Sequence, residues 1–99
     1  MAVIYLVEDS VALRESFRRI LGEAGHSVTP FESAEAALKA IEETPPELLV
    51  TDVVLPGMSG VQLVEAVRAL YGRLELPVVI VSSLDATEEV SAGYAAGAD

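Results

Sequence analysis

An α/β domain built on a parallel sheet is the fold class this chain predicts, and three observations lead there. Short apolar runs alternate four times with segments of helical period, which is the pattern of successive βα units rather than of a sandwich or a bundle. The third run, Leu48-Leu49-Val50-Thr51, is apolar without alternation, as a central parallel strand covered on both faces must be. The chain has 99 residues with 52% apolar content, which suffices for one modest core and leaves no room for a second.

The first strand, β1, is Val3 to Val7. Ser10 then offers an N-cap, and Leu13, Phe17, Ile20 and Leu21 fall on one stripe of helix α1 before Gly25 supplies a stop. Val28 to Phe31 is a weak second strand, β2, in which Pro30 lacks a ladder donor and so favours a sheet edge or a strand end. Ser33 is the next candidate cap. Ala34, Ala37, Leu38 and Ile41 form the inner stripe of α2, which must end before Pro45-Pro46. Leu48 to Thr51 is β3. Pro56-Gly57 has the residue order of a type II turn. From about Val61 to Leu70 runs α3, with Leu63, Val64, Val67 and Leu70 inward. Pro77 introduces β4, Val78 to Val81, which ends in Ser82-Ser83. The last segment, α4 from Ala86 to Ala96, is weakly helical, since Gly93 interrupts it and only Val90 and Tyr94 are bulky apolar anchors.

Charge and composition exclude several classes. Sixteen acidic residues against six basic ones give a net charge of -10, which repels nucleic acid and anionic membrane surfaces unless basic groups gather on one face. Arg14, Arg18 and Arg19 do lie close together, but the spacing reads as a solvated helix face with Glu15 supporting Arg19. There is no cysteine, so thiolate metal sites, disulfides and cysteine nucleophiles are out. The N-terminal apolar run has no basic leader and soon meets acid, and no stretch approaches the roughly 20 apolar residues of a membrane span. A soluble, cytoplasmic protein is expected. His26 reads as a surface residue, Glu42, Glu43 and Glu47 as solvating charge around Pro45-Pro46, and Met58 as loop packing or part of a partner surface.

Parallel α/β sheets place their ligands at the carboxyl ends of the strands. Here β1 runs into Glu8-Asp9, β3 into Asp52, and β4 into Ser82-Ser83. Three separated pieces of chain therefore supply one oxygen-rich pocket, and three carboxylates together are costly without a cation or a phosphoryl group. Oxygen-only ligands suit a hard cation such as Mg²⁺, which takes one or two carboxylates and completes its shell with water and phosphate oxygens. A carboxylate can also attack phosphorus, with the metal offsetting the repulsion between two anions. Asp52, alone on its strand, is the candidate nucleophile, while Glu8 and Asp9 are placed to share a metal. Taken alone, Glu8-Asp9 could also be an acidic pair favoured by the dipole of the helix that follows.

These residues resemble the receiver domains of bacterial two-component response regulators. The resemblance covers the whole chain and rests on Ile4-Tyr5-Leu6-Val7-Glu8-Asp9, on Leu49-Val50-Thr51-Asp52-Val53-Val54-Leu55-Pro56-Gly57-Met58-Ser59-Gly60, on Pro77-Val78-Val79-Ile80-Val81-Ser82-Ser83, and on Ala95-Ala96-Gly97-Ala98-Asp99. It implies a flavodoxin-like, doubly wound parallel sheet, here truncated to β1α1β2α2β3α3β4α4. It implies that Asp52 accepts a phosphoryl group from a histidine kinase or phosphotransfer protein. Mg²⁺ would then be held by Glu8, Asp9, Asp52 and the backbone carbonyl of Val54, and Ser82 would be the hydroxyl that meets the phosphoryl oxygen. Members of the family continue into a fifth strand with a switch aromatic and a phosphoryl-pairing lysine, then a fifth helix. None of these is in this chain, so residues 1–99 are expected to be one C-terminally incomplete receiver domain, with an output domain possible beyond Asp99. The edge of β4 would be exposed and α1 would lose part of its cover, inviting self-association.

The leading reading is thus a phosphoacceptor switch, which acts on itself and is not a turnover enzyme. In the family, the residues two after the acceptor and two after the hydroxyl influence attack of water on the acyl phosphate. Here they are Val54 and Leu84, neither of which can orient a water, so slow self-dephosphorylation is expected in a full-length parent. An aspartyl-phosphate phosphatase is the first rival, but that chemistry typically wants a second acid where Val54 stands. The second rival is a truncated or engineered fragment that self-associates or docks without phosphotransfer. Nucleotide binding has no support, since neither a Gly-x-x-x-x-Gly-Lys loop nor a Gly-x-Gly-x-x-Gly turn occurs.

Overall fold

A computed structural model describes residues 2–81 and 87–99. Its elements are β1 (Val3–Val7), α1 (Val11–Glu23), β2 (Ser27–Phe31), α2 (Ala34–Glu43), β3 (Leu48–Asp52), α3 (Gly60–Leu70), β4 (Val78–Val81) and α4 (Thr87–Ala96). The strands form one parallel sheet in the order β2-β1-β3-β4, so the expected α/β architecture holds. Ser82, Ser83, Leu84, Asp85 and the expected first residue of α4, Ala86, lie outside the described residues.

Alternation along the central strands explains the two-sided apolar pattern. Val7 and Leu49 join Ala34, Ala37 and Ile41 of α2 and Leu63, Val64 and Val67 of α3 in the larger core cluster. Ile4, Leu6 and Val50 point to the other face, where Phe17 and Leu21 of α1 pack on them. Each central strand thus feeds two cores, as the absence of polar alternation in Leu48-Leu49-Val50 requires. Pro30 sits in the edge strand β2, opposite Leu6. The ladder contacts Ser27 N–H to Ala2 O and Glu8 N–H to Phe31 O turn the odd-numbered β2 residues toward β1, so the missing donor of Pro30 faces the open edge.

Local signals behave as the residues dictate. The hydroxyl of Ser10 accepts from Leu13 N–H at 3.3 Å and that of Ser33 from Ala36 N–H at 3.2 Å. Helix α1 stops in a Schellman arrangement: Gly25 has φ 94°, His26 N–H donates to Leu21 O, and Gly25 N–H to Gly22 O. Gly57 has φ 74°, as the third position of a type II turn needs.

Leu13 and Ile20, placed on the inner stripe, are 50% and 59% exposed, in line with the expected partial loss of cover on α1, since no described element covers that part of the helix. Several expectations fail at the periphery. Leu70 is 49% exposed, one turn beyond the last buried residue of α3. In α4 the buried residue is Gly93, while Tyr94 is exposed. A Cβ at Gly93 would collide with Ile80 Cδ1 and stand 3.5 Å from Val53 Cγ1, so the glycine permits a close approach rather than merely weakening the helix. Glu15 pairs with Arg18 at 2.7 Å, not with Arg19. His26 is half-buried and its Nδ1 accepts from Ala2 N–H at 3.1 Å. Glu47 does more than solvate, since its Oε1 accepts from Val3 N–H at 3.0 Å.

One anchor was not anticipated from sequence. The guanidinium of Arg68 donates to Gly97 O at 2.7 Å, Leu76 O at 2.7 Å, Tyr71 O at 3.3 Å and Asp99 Oδ2 at 2.9 Å. Asp99 Oδ2 also accepts from Val78 N–H at 2.9 Å. A single half-buried arginine thereby ties α3 to the start of β4 and to the residues following α4.

Candidate functional site

Strand register assembles the acids. Val7 lies opposite Thr51, and Asp52 opposite Val81, so Glu8 and Asp9 leave β1 level with the end of β3. Carboxylate oxygens of Glu8, Asp9 and Asp52 lie within 4.8 Å of one another. The three acids expected to meet are therefore together, from two strand ends and one loop.

Their environments differ. Glu8 is only 3% exposed, Asp52 is half-buried and Asp9 is exposed. Burial pushes the Glu8 carboxyl up to about 7, opposed by the Ser10 N–H, and reinforced by hydrogen bonding to Asp9 and by the charge of Asp52. Desolvation disfavours the ionised form and like charges add to that cost. The Ser10 N–H donates to Glu8 Oε2 at 3.1 Å, so Glu8 also serves the start of α1. The metal and helix-terminus readings of this acid are compatible.

The backbone under Asp52 is held from several sides. Thr51, fully buried, donates its hydroxyl to Asp52 O at 2.8 Å. Gly60 brings the first turn of α3 onto the same peptide: a Cβ there would overlap Asp52 O and lie 2.7 Å from Val53 Cα. The N–H of Val54 donates to Asp52 Oδ1 at 3.3 Å, which places Val54 at the rim, with 54% of its surface exposed. Arg14 donates to Glu8 O at 2.9 Å. Met58 is half-buried and packs on the larger cluster. The roles of Thr51 and Gly60 were not read from sequence; Gly60, three residues beyond Gly57, sits in a loop with no period that would mark its close approach to Asp52. Ser82 is outside the described residues, although Val81 beside Asp52 closes the described edge of the site.

Fit to a divalent cation can be judged from the donors themselves. They are all hard oxygens, they converge, and one is a buried carboxylate that resists ionisation without a positive partner. That set suits Mg²⁺.

The fold and this cluster of acids define a receiver domain: the response regulator receiver domain family matches residues 4–99, and the chain belongs to it. Among similar proteins, the two-component response regulator PhoP of Pseudomonas aeruginosa is 38% identical over 96 residues, 97% of this chain and 42% of its own length. The transcriptional regulatory protein AfsQ1 of Streptomyces coelicolor is 32% identical over 99 residues, 100% of this chain and 43% of its own length. The chain thus spans less than half the length of these curated relatives. Among solved structures, the chemotaxis response regulator CheY4 of Vibrio cholerae superposes with a TM-score of 0.88 at 28% identity, covering 99% of this chain and 82% of that one. NtrX from Brucella abortus gives a TM-score of 0.89 at 30% identity, covering 99% of this chain and 22% of that one.

Proposed function

We propose that this chain is the phosphoacceptor module of a two-component response regulator, with Asp52 as the acceptor. The observation that carries the reading is the convergence of carboxylate oxygens of Glu8, Asp9 and Asp52 within 4.8 Å. Glu8, Asp9, Asp52 and the carbonyl of Val54 would hold Mg²⁺, and when bound the ion supplies the positive charge that lets two anions approach. The Asp52 carboxylate attacks the phosphorus of a phosphohistidine on a kinase or phosphotransfer protein. A P–O bond forms as the P–N bond breaks, and the departing imidazole takes up a proton. Thr51 and Gly60 keep the attacking carboxylate's backbone fixed. Ser82 is the proposed hydroxyl partner of the phosphoryl group.

On this reading the protein is a switch that modifies itself, not a turnover enzyme, and it works in the cytoplasm beside its kinase. No described helix is long and apolar enough to cross a membrane. The names of the relatives, a transcriptional regulatory protein and a two-component response regulator, support an output domain as the downstream partner. In a full-length parent, Val54 and Leu84 make the acyl phosphate long-lived; a half-life of seconds in that parent would overturn this part. A second reading, self-association of the 99-residue chain, is favoured by the position of β4 at the sheet edge with Val79 42% exposed. A sharp monomer by light scattering at micromolar concentration would rule it out.

The test begins with thermal unfolding, with and without millimolar Mg²⁺, on the parent and on Asp52→Asn. A ligand that binds only the native state raises its stability, so the parent should gain and the variant should gain less. Incubation with a small phosphodonor should then add one phosphoryl group to the parent by intact mass and none to Asp52→Asn. An unchanged transition in the parent would count against the three-acid site.

A further inference from the structure

We propose that Glu35, an exposed acid in the first turn of α2, is a positioning residue for the loop that leaves Asp52; the inference rests on the metal-site reading above. The loop from β3 to α3 must keep Val54 in place for its carbonyl to serve as a ligand. Most of its hydrogen bonds are local: Val54 N–H to Asp52 Oδ1 at 3.3 Å, Ser59 N–H to Gln62 Oε1 at 2.9 Å, and Gly60 N–H to Val53 O at 2.9 Å. Such bonds shape the two ends and leave the Pro56-Gly57 tip free to move. Leu55, 7% exposed, seats the near side of the tip in the core.

The far side is held from another element. Met58 N–H donates to Glu35 Oε2 at 3.2 Å, across 23 residues of chain. Among the described residues this is the hydrogen bond that ties the loop tip to a separate helix. The same oxygen lies against Gly57, where a Cβ would stand 2.6 Å from it. Gly57 therefore serves twice: its φ of 74° makes the turn, and its missing side chain leaves room for the carboxylate. A carboxylate oxygen accepting from a backbone N–H makes a stronger bond than a neutral pair does. The turn is thus pinned on one side by Leu55 and on the other by Glu35, and Val54 precedes the first pin directly. Glu35 is not among the converging acids, so it acts on the site through the backbone rather than as a ligand.

The test compares Glu35→Ala and Glu35→Gln in the full chain, reading amide exchange at Met58 by NMR without metal and Mg²⁺ affinity by calorimetric titration. Glutamine keeps an oxygen acceptor, and alanine does not. In the alanine variant, Met58 exchange should quicken and Mg²⁺ binding weaken by about threefold to tenfold, the range that one exposed hydrogen bond supports. The glutamine variant should stay within about twofold of the parent. Parent-like Mg²⁺ affinity in Glu35→Ala would overturn the proposal. So would equal losses in both variants, which would point to net charge at a distance instead of the hydrogen bond. A parent that binds no Mg²⁺ defeats the metal-site reading itself, and the Met58 exchange rates would then still report whether the tether exists.

Discussion

Replacing Glu8 with glutamine isolates the electrostatic cost of the acid pocket. Glu8 has a raised pKa in the native state, from 4.5 to about 7. Below 4.5 both native and unfolded chains carry the proton and the group contributes no difference. As pH rises past 4.5 the unfolded chain releases its proton while the native one retains it, so stability falls; above 7 the full penalty applies. With the carboxyl displaced from 4.5 to about 7, at 1.36 kcal/mol per tenfold change in proton affinity, the penalty is on the order of 3 kcal/mol. Glutamine is nearly isosteric, can still accept from the Ser10 N–H, and never ionises. Urea unfolding in the presence of a chelator, from pH 4 to pH 8, should therefore show Glu8→Gln close to the parent at the acid end and about 3 kcal/mol more stable at the alkaline end. Saturating Mg²⁺ should narrow that gap by stabilising the ionised parent. A difference between the two proteins that does not change with pH would refute the argument.

Three further outcomes follow from the packing. Arg68→Ala deletes bonds to Gly97, Leu76, Tyr71 and Asp99 and leaves carbonyl groups without partners, so it should cost about 3 kcal/mol in urea unfolding; a loss under about 1 kcal/mol would contradict the anchoring role. Gly60→Ala forces a Cβ onto Asp52 O, and should both lower the melting temperature and reduce the Mg²⁺-dependent rise, whereas Gly22→Ala, with open space around it, should do neither. Leu13→Ser, at a 50% exposed position, should change stability by less than about 0.5 kcal/mol, against about 2–5 kcal/mol for Ile41→Ala in the core; similar costs at both sites would mean that α1 is more deeply covered than the described fold implies.

Apolar runs with their caps and stops were enough to mark all four strands and the helices between them, because each of those signals is local. Leu48-Leu49-Val50 announces burial on two faces, Pro30 an edge, and Gly57 a turn, and each is found in that role. The acids were legible for the same reason: Glu8-Asp9 and Asp52 stand where apolar runs stop, and parallel strands bring their ends level. Leu70 is exposed against expectation, and the extent of exposure at Leu13 and Ile20 was not legible, because periodicity reports which face of a helix is apolar, not how far the neighbouring layer extends over it.

What tertiary structure alone decided are the contacts between groups with no periodic relation. Arg68 finds Gly97 and Asp99 across 29 and 31 residues, Glu35 finds Met58 across 23, and His26 finds Ala2 across 24. Nothing in the local sequence around these residues distinguishes them from solvated surface. The state of Glu8 belongs partly to the same class, since its carboxyl is displaced to about 7 first by burial, then by Asp9 beside it and by Asp52 on another strand. By itself the chain determined where its strands end and that acids stand there; only the register of β1 against β3 determined how close those acids come and that Glu8 alone of them is buried, because electrostatic energy depends on separation in space and not on separation along the chain.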